Sequence, residues 1–515
     1  MSKHPKINAF LHKLFGTTEG DGNMQPKEAI AYSVTGIGQN FICTIIGSYL
    51  TVFMTDALGF NISNPFGLGA MAVAWLMLGT RIFDAFNDPI MGSIVDRTRT
   101  KWGKCRPYLK WMALPIGIVT ILCFLPWFKN DVGSFAAISI IYIIWSMVYT
   151  VADVPYWGLS SAMTNDTTVR GNLLTVARLA CTAAAGLVTI LVPQITAGVT
   201  KKFRDPETNL LIAEYASQNA ETLRYTYFII AIVLVVLSLP MFYYGFKNTK
   251  EYCQSNENPP SLKHNLGLLF KNKKLLLIVL SGILGGARMV YTYTGGLYFC
   301  KYALASRGGE NLYGILTMLV VPGGLIASVL CPWLTKKFGK KWSFIGSHII
   351  GAVAMVIMFF MWDFGAADFR TGGIAVCVIC LIFVGIPQGI SNIMTYAMIG
   401  DTVDYLEWKT GERAEGICFA MQTLINKVGM AIGAFIGVIA YGMSGISADN
   451  PMGSMTSDGL NKMWLMLVLS GVVSFIACII PMLFYNITEK RQRQMVQEIA
   501  ERKAAAEAAT VTAEA

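Results

Sequence analysis

The stretch Arg81-Ile-Phe-Asp84-Ala-Phe-Asn87-Asp88-Pro-Ile-Met-Gly92, continuing through Asp96-Arg-Thr-Arg-Thr-Lys-Trp-Gly-Lys-Cys-Arg-Pro107, sets the terms for reading the whole chain. An apolar run begins upstream near Leu68, so Arg81, Asp84 and Asp88 fall at membrane depth, and 96–106 forms a basic loop. At about 100° per residue, Asp88 lies roughly 40° round a helix from Asp84, and Arg81 about 20° beyond Asp88. All three share one face. A carboxylate inside a bilayer costs at least about 2.5 kcal/mol even on lenient insertion scales, so two on one face imply a wet, polar interior. A purely structural pair between Arg81 and one aspartate would leave the other carboxylate without a partner.

Working outward, the 515 residues are 54% hydrophobic and only 14% charged, against about a quarter charged in soluble domains. Apolar runs long enough to cross a bilayer recur throughout, and the short alternating segments of a β-barrel are missing from the sequence. The fold class expected is therefore an all-α polytopic membrane protein. The net charge of +10 sits in short loops between apolar runs. That is the positive-inside pattern and not a nucleic-acid surface. Cys377 and Cys380 form a C-x-x-C inside an apolar run with no second ligand pair, and His4, His12, His264 and His348 have no metal-ligand spacing. The polar leader before the first apolar run is too long and too mixed in charge for a cleavable signal.

Twelve spans account for the apolar runs, with both ends on the cytoplasmic side. The organisation read from them is an N-terminal segment 1–30, a six-helix bundle 31–245, a linker 246–272, a second six-helix bundle 273–487 and a tail 488–515. Lys101-Trp-Gly-Lys104 and Lys337-Phe-Gly-Lys340 hold equivalent places in the two halves, as a parallel repeat of six-helix units would leave them. The tail, rich in Lys, Arg, Glu and Gln and then in Ala, reads as a frayed helix.

Few other ionisable residues lie deep in the spans. Tyr149, Asp153 and Trp157 follow an i, i+4, i+8 stripe beside Pro155. An aromatic ring beside a carboxylate suits a sugar, the ring packing on its C–H face while the carboxylate accepts from hydroxyls. An interfacial aromatic belt is the alternative, in which Asp153 would be misplaced. Arg178 is either a snorkelling end residue or a partner for Asp153. Lys427, in the middle of the eleventh span, should face a cavity. Arg288, in Gly285-Gly-Ala-Arg288, is read as the remaining intramembrane cation, either functional or paired with nearby backbone carbonyls.

With Gly103-Lys-Cys-Arg-Pro107, the stretch Asp84 to Gly92 resembles the signature of the glycoside–pentoside–hexuronide:cation symporters, the melibiose-carrier group within the major facilitator fold. Asp153-Val-Pro-Tyr-Trp157, Asp401-Thr-Val-Asp404-Tyr405 with Gln422-Thr423 and Lys427, and Tyr49 to Asp56 resemble further motifs of that family, in order along the chain. The resemblance implies cation-coupled sugar symport by alternating access in a cell membrane. It implies that Asp84, Asp88, Asn87 and Thr150 hold the coupling cation, and that Tyr149, Asp153, Trp157, Arg178, Thr423 and Lys427 line the sugar site. Where melibiose-type carriers have an acid in the first helix, this chain has Asn40, which still binds hydroxyls but brings no charge. Arg288 adds positive charge to the same expected cavity. The expectation is an anionic sugar such as a hexuronide or glucuronide, with a neutral pentoside or oligosaccharide as the alternative.

Asp96, Arg97 and Arg99, with Asp401, Asp404, Glu407, Glu412 and Arg413, are expected either to gate the cytoplasmic side or to be solvated loop charges. The coupling ion is Na⁺ or H⁺, with Li⁺ possible, and no other cofactor is expected. The partners expected are the sugar, the cation and the bilayer, with a monomeric chain. An intramembrane aspartyl protease needs its acids on two helices, so the chain is not read as an enzyme. A sugar sensor that binds without transporting remains the competing class.

Overall fold

Inside a bilayer every backbone N–H and C=O must find its partner within the protein, and a helix does this with its own residues. The computed structural model describes residues 10–12, 14–15, 17, 24–60, 69–164, 167–207, 209, 211–252, 262–292, 294–412, 415–445 and 456–514. They form α1 (Pro26–Ala57), α2 (Ala70–Arg97), α3 (106–122), α4 (Val132–Met163), α5 (Thr167–Thr200) and α6 (Ala216–Asn248). The second half supplies α7 (273–303), α8 (311–338), α9 (340–360), α10 (Gly373–Thr410), α11 (Glu415–Gly442) and α12 (Ser457–Leu483). Among the described residues, nine helices are long and apolar enough to cross a membrane. The other three fall short for visible reasons: α2 carries the charges quoted above, α3 is short, and α7 is broken.

Local chemistry sets the ends. Pro26 opens α1, and Glu28 accepts from the Gln25 N–H at 2.9 Å. Asp131 caps α4 through the Ser134 N–H at 2.7 Å, and Thr456 caps α12 through the Gly459 N–H at 3.0 Å. Two interruptions sit inside helices. α1 contains π-helical turns over Ile45–Tyr49 and Phe53–Ala57, and α7 passes through a 3₁₀ segment, Gly286–Thr292, between two α-helical pieces. Such irregular turns mark functional positions more often than regular helix does.

By contact the chain groups into two compact units. The first comprises Met1–Pro259 with Leu297–Gly314 and Tyr441–Met455; the second comprises Pro260–Gly296, Ile315–Ala440 and Thr456–Ala515. In the first, α1 lies along α5 and α6, α2 along α4, and α3 against α4 and α6. In the second, α10 packs against the continuous stretch of α8 and α9, and α12 packs on it as well. Glycines make the closest approach there. A Cβ on Gly385 would stand 2.0 Å from the Val320 carbonyl oxygen, and one on Gly389 would stand 2.1 Å from that of Gly324. Small residues are what allow membrane helices to touch backbone to backbone.

The two Lys-aromatic-Gly-Lys loops carry the same device. Gly103 (φ 106°) and Gly339 (φ 77°) both have left-handed backbone. In the first unit, the Glu251 carboxylate accepts from the N–H groups of Lys104, Cys105 and Arg106 at 2.8–2.9 Å. In the second, Glu489 accepts from the Lys340 N–H at 2.7 Å. Each carboxylate satisfies donors that the following helix leaves open. Nearby, burial and the Glu28 carboxylate push the Tyr252 phenol up to about 12, so its hydroxyl stays a donor to Glu28 at 3.0 Å. The tail, expected to fray, is helical over Glu489–Glu514 and docks on α10. Gln492 donates to Asp404 at 2.9 Å and Arg502 to the Trp408 carbonyl at 2.8 Å.

Candidate cation and substrate sites

In the first unit, α2 and α4 face each other with one residue pattern on each. Asp84 and Asp88 stand one turn apart on α2, and Ser146 and Thr150 one turn apart on α4; all four are buried. Thr150 Oγ1 donates to Asp88 Oδ1 at 3.0 Å, and Ser146 Oγ donates to Asp84 Oδ1. Arg81 Nη1 binds the other Asp84 oxygen at 3.0 Å. Counting Arg81, Asp84 and Asp88 gives a formal charge of one negative unit. Asn87, on the same helix, has a buried Nδ2 with no hydrogen-bond partner among the described residues. Ser146 was not singled out in the sequence, although its spacing from Thr150 matches that of the two aspartates.

The stripe next to it on α4 converges on one oxygen. Asp153 Oδ1 accepts from Tyr149 OH at 3.3 Å, from Trp157 Nε1 at 3.1 Å and from Gln39 Nε2. The Arg178 guanidinium lies 4.8 Å from the centre of the Trp157 ring, joining the group through the indole. Asn40, the residue expected here from α1, turns its Nδ2 to the Gly36 carbonyl at 3.0 Å in its own helix. Its neighbour Gln39 is the residue that reaches Asp153. One position on a helix is about 100° of rotation, and the packing of α1 on α5 and α6 sets which of the two amides points inward.

In the second unit, the break in α7 opens a cleft lined by Arg288, Gln388, Ser391, Asn392, Gln422 and Asn426, among others. The Arg288 N–H donates to Ser474 Oγ at 3.2 Å, and Ser474 donates to the Leu284 carbonyl at 2.7 Å, so α12 satisfies backbone groups that the break exposes. Gln422 Nε2 donates to Asn426 Oδ1 at 3.2 Å, while Gln422 Oε1 is buried without a partner among the described residues. The cleft is lined by Gln422 and Asn426, whereas the resemblance named Thr423 and Lys427, each one residue further round α11. Lys427 is nevertheless buried. Of the expected gating charges, Asp401 is held by Lys340 Nζ at 2.6 Å and Glu412 by His264, both within the second unit. Arg413 lies outside the described residues.

Arg288 is not the last intramembrane cation. Lys301, near the end of α7, is buried in the first unit and pairs with buried Asp56 in the second π-turn of α1. Thr55 Oγ1 donates to Asp56 Oδ1 at 3.0 Å, Tyr441 OH donates to the same oxygen at 3.4 Å, and the Tyr298 and Tyr441 rings stack at 4.1 Å. The π-turn places Thr55 and Asp56 together on this cluster, and a regular helical period does not anticipate that.

Residues 31–489 match the MFS/sugar transport protein family. The chain is 26% identical to the isoprimeverose transporter of Lactiplantibacillus pentosus, over 94% of this chain and 93% of that one. It is also 26% identical to the glucuronide carrier protein homolog of Escherichia coli (strain K12), over 92% and 95%. Among solved structures it is similar in fold to a D-xylose-proton symporter, with TM-score 0.55 and 15% identity, covering 88% of this chain and 96% of that one. The nucleoside transporter NupG is similar too, with TM-score 0.57 and 13% identity over 89% and 99%. The family match, near full-length relatives and shared fold agree with the twelve-helix reading. The chain therefore belongs to the MFS/sugar transport protein family, in its glycoside–pentoside–hexuronide group, and is a multi-pass membrane transporter and not an enzyme.

Proposed function

We propose that the protein carries a sugar or glycoside across the cell membrane by alternating access, driven by co-transport of a monovalent cation. The observation that carries this is the ladder of two carboxylates facing two hydroxyls between α2 and α4. A hard monovalent cation is held by a cluster of oxygens, and Asp84, Asp88, Thr150 and Ser146 supply one, with Asn87 beside them. Because Arg81 already balances one carboxylate, a single positive charge neutralises the rest. Na⁺ and H⁺ both meet that requirement. With the cation bound, closing the site no longer buries a net charge, so interconversion is favoured when cation and substrate are both present or both absent.

Each unit by itself offers candidate substrate groups: Tyr149, Asp153, Trp157, Arg178 and Gln39 in the first, and Arg288 with the surrounding amides in the second. Thr423 and Lys427 are kept as candidates on the face of α11 beside the cleft. Arg288 favours an anionic sugar, since a guanidinium binds a carboxylate through parallel hydrogen bonds. The glucuronide carrier relative is consistent with that, and the isoprimeverose relative keeps a neutral pentoside or oligosaccharide as the alternative. Both chain ends are assigned to the cytoplasm from the loop charges.

Counterflow in proteoliposomes against a panel of neutral and uronic glycosides, with and without Na⁺, tests the reading. Exchange that is stimulated by Na⁺ or by a proton gradient is the expected result. Binding without any exchange would leave a sugar sensor in its place, and exchange indifferent to both ions would remove the coupling.

A further inference from the structure

His348 lies on α9 with no solvent exposure, directly behind the wall of the second-unit cleft. Its ring stacks on Phe344 with centroids 4.0 Å apart and meets Phe475 edge-on at 5.9 Å. Nδ1 stands 2.8 Å from the Phe344 carbonyl oxygen. A carbonyl only accepts, so Nδ1 carries the proton. Ser347 agrees with this: its own hydroxyl donates to the Phe344 carbonyl at 2.7 Å, leaving a lone pair towards Nδ1 at 3.3 Å. A fully buried imidazole with no carboxylate against it among the described residues is the neutral form. Nε2 is then an acceptor, and the atom facing it is Ser391 Oγ, at 3.4 Å.

The Ser391 hydroxyl differs from two of its neighbours. Thr395, one turn on, donates back to the Ser391 carbonyl at 2.7 Å, and Ser328 donates likewise to Gly324 at 2.7 Å. Ser391 has no such backbone bond among the described residues; its hydroxyl meets the imidazole. A hydroxyl has one proton and two lone pairs. With the proton directed at His348, the lone pairs are what Ser391 offers to the cleft, beside Arg288, Gln388 and Asn392.

We infer that His348 is a positioning residue that fixes Ser391 as a hydrogen-bond acceptor in the substrate cleft, so that the cleft selects a sugar hydroxyl able to donate there. The inference rests on the transport reading for its consequence and on the ring's own hydrogen bonds for its cause. Arg288 only donates, so one sugar hydroxyl can accept from the guanidinium or an amide and donate to Ser391. An analogue with that hydroxyl removed leaves a buried acceptor unpaired, and discrimination of this kind exceeds what apolar fit provides.

The test has two arms on the full chain in lipid nanodiscs or proteoliposomes. Isotope-labelled histidine, with the His348 signals assigned by their loss in His348→Gln, should show a neutral ring protonated at Nδ1. In Ser391→Ala the Nε2 resonance should move to its unbonded position while Nδ1 stays. A ring protonated at Nε2, a charged ring, or an Nε2 signal indifferent to Ser391→Ala overturns the inference. The second arm is counterflow of whichever panel glycoside the parent exchanges, against its monodeoxy analogues. Ser391→Ala and His348→Asn should raise KM roughly 5- to 50-fold with little change in maximal rate, and should flatten the preference over one deoxy analogue. His348→Gln, which keeps an acceptor at the reach of Nε2, should retain the preference. Loss of rate for all substrates alike in all three variants would mean a packing role only and would also overturn it. Should the parent exchange no glycoside, the transport reading falls and the labelled-histidine arm still decides the role of His348.

Discussion

The candidate polar sites of the two units are built from different materials. The first is acidic: Asp56, Asp84, Asp88 and Asp153 are all buried, two of them matched by Lys301 and Arg81. The second presents to its cleft one guanidinium, several amides and hydroxyls, and no carboxylate among its lining residues. An acidic interior captures cations, while a guanidinium set among amides reads the oxygens of a sugar or of an anion on it. Under the proposed function, the first unit supplies the cation ladder together with the groups around Asp153, and the second a cleft without carboxylates among its lining residues. The scaffold is repeated, down to the glutamate on each Lys-aromatic-Gly-Lys loop, and the chemistry inside it is not.

The sharpest way to break the comparison is to remove the two acids of the α2–α4 ladder. Asp84→Asn with Asp88→Asn should abolish uphill accumulation, a fall of roughly 100-fold or more in the proteoliposome gradient. Ser146→Ala alone should weaken the apparent affinity for the coupling ion by about 10-fold or less, as loss of one neutral ligand does. Accumulation unchanged in the double variant would remove the first unit's assigned role. A second test asks whether Asp56 belongs with the functional acids or with the structural pairs. Lys301→Met leaves a buried carboxylate uncompensated and should destabilise the protein by about 3–5 kcal/mol, with Asp56→Asn in the same chain restoring most of it. Thermal unfolding in detergent reads this, and additive losses in the double variant would contradict the pairing.

On the other side, Arg288→Gln should cost an anionic glycoside about 10- to 100-fold in kcat/KM while changing a neutral one by less than about 3-fold. Equal losses for both would make Arg288 a structural cation. The smallest expected effect concerns the repeated loops. Glu251→Gln loses charge-assisted acceptance from three N–H groups and Glu489→Gln from one, so the first should lower stability by about 1–3 kcal/mol and the second by about 1 kcal/mol or less. Equal shifts in melting temperature would show that the resemblance of the loops extends to their energetics.

Legibility in the sequence followed the range of the interaction concerned. The face shared by Arg81, Asp84 and Asp88 came from helical periodicity, and the Arg81–Asp84 contact at 3.0 Å is what a spacing of three residues permits. The stripe of Tyr149, Asp153 and Trp157 came from the same arithmetic. Gln39 and Asn40 could not be separated this way, because both lie on α1 and only its neighbours determine which points inward. Lys301 is visible as a charge in an apolar run, but its place near the end of the span gives it the pattern of a snorkelling residue. Its pairing with Asp56, 245 positions away, has no local signature, although Asp56 itself ends the Tyr49–Asp56 motif. His348 gave no metal spacing, and its meaning depends on Ser391, which lies 43 positions further on.

The amino-acid order by itself determined that this is a helical membrane protein of repeated halves, with two carboxylates held on one face at membrane depth. Helical period, bilayer thickness and the cost of charge in hydrocarbon are local or additive, so they can be read along a line. Only the tertiary structure decided which hydroxyls face those carboxylates, which amide of α1 meets Asp153, and where the break in α7 sets Arg288. Those choices depend on the rotation of one helix against another, which is set by packing among residues far apart in the chain.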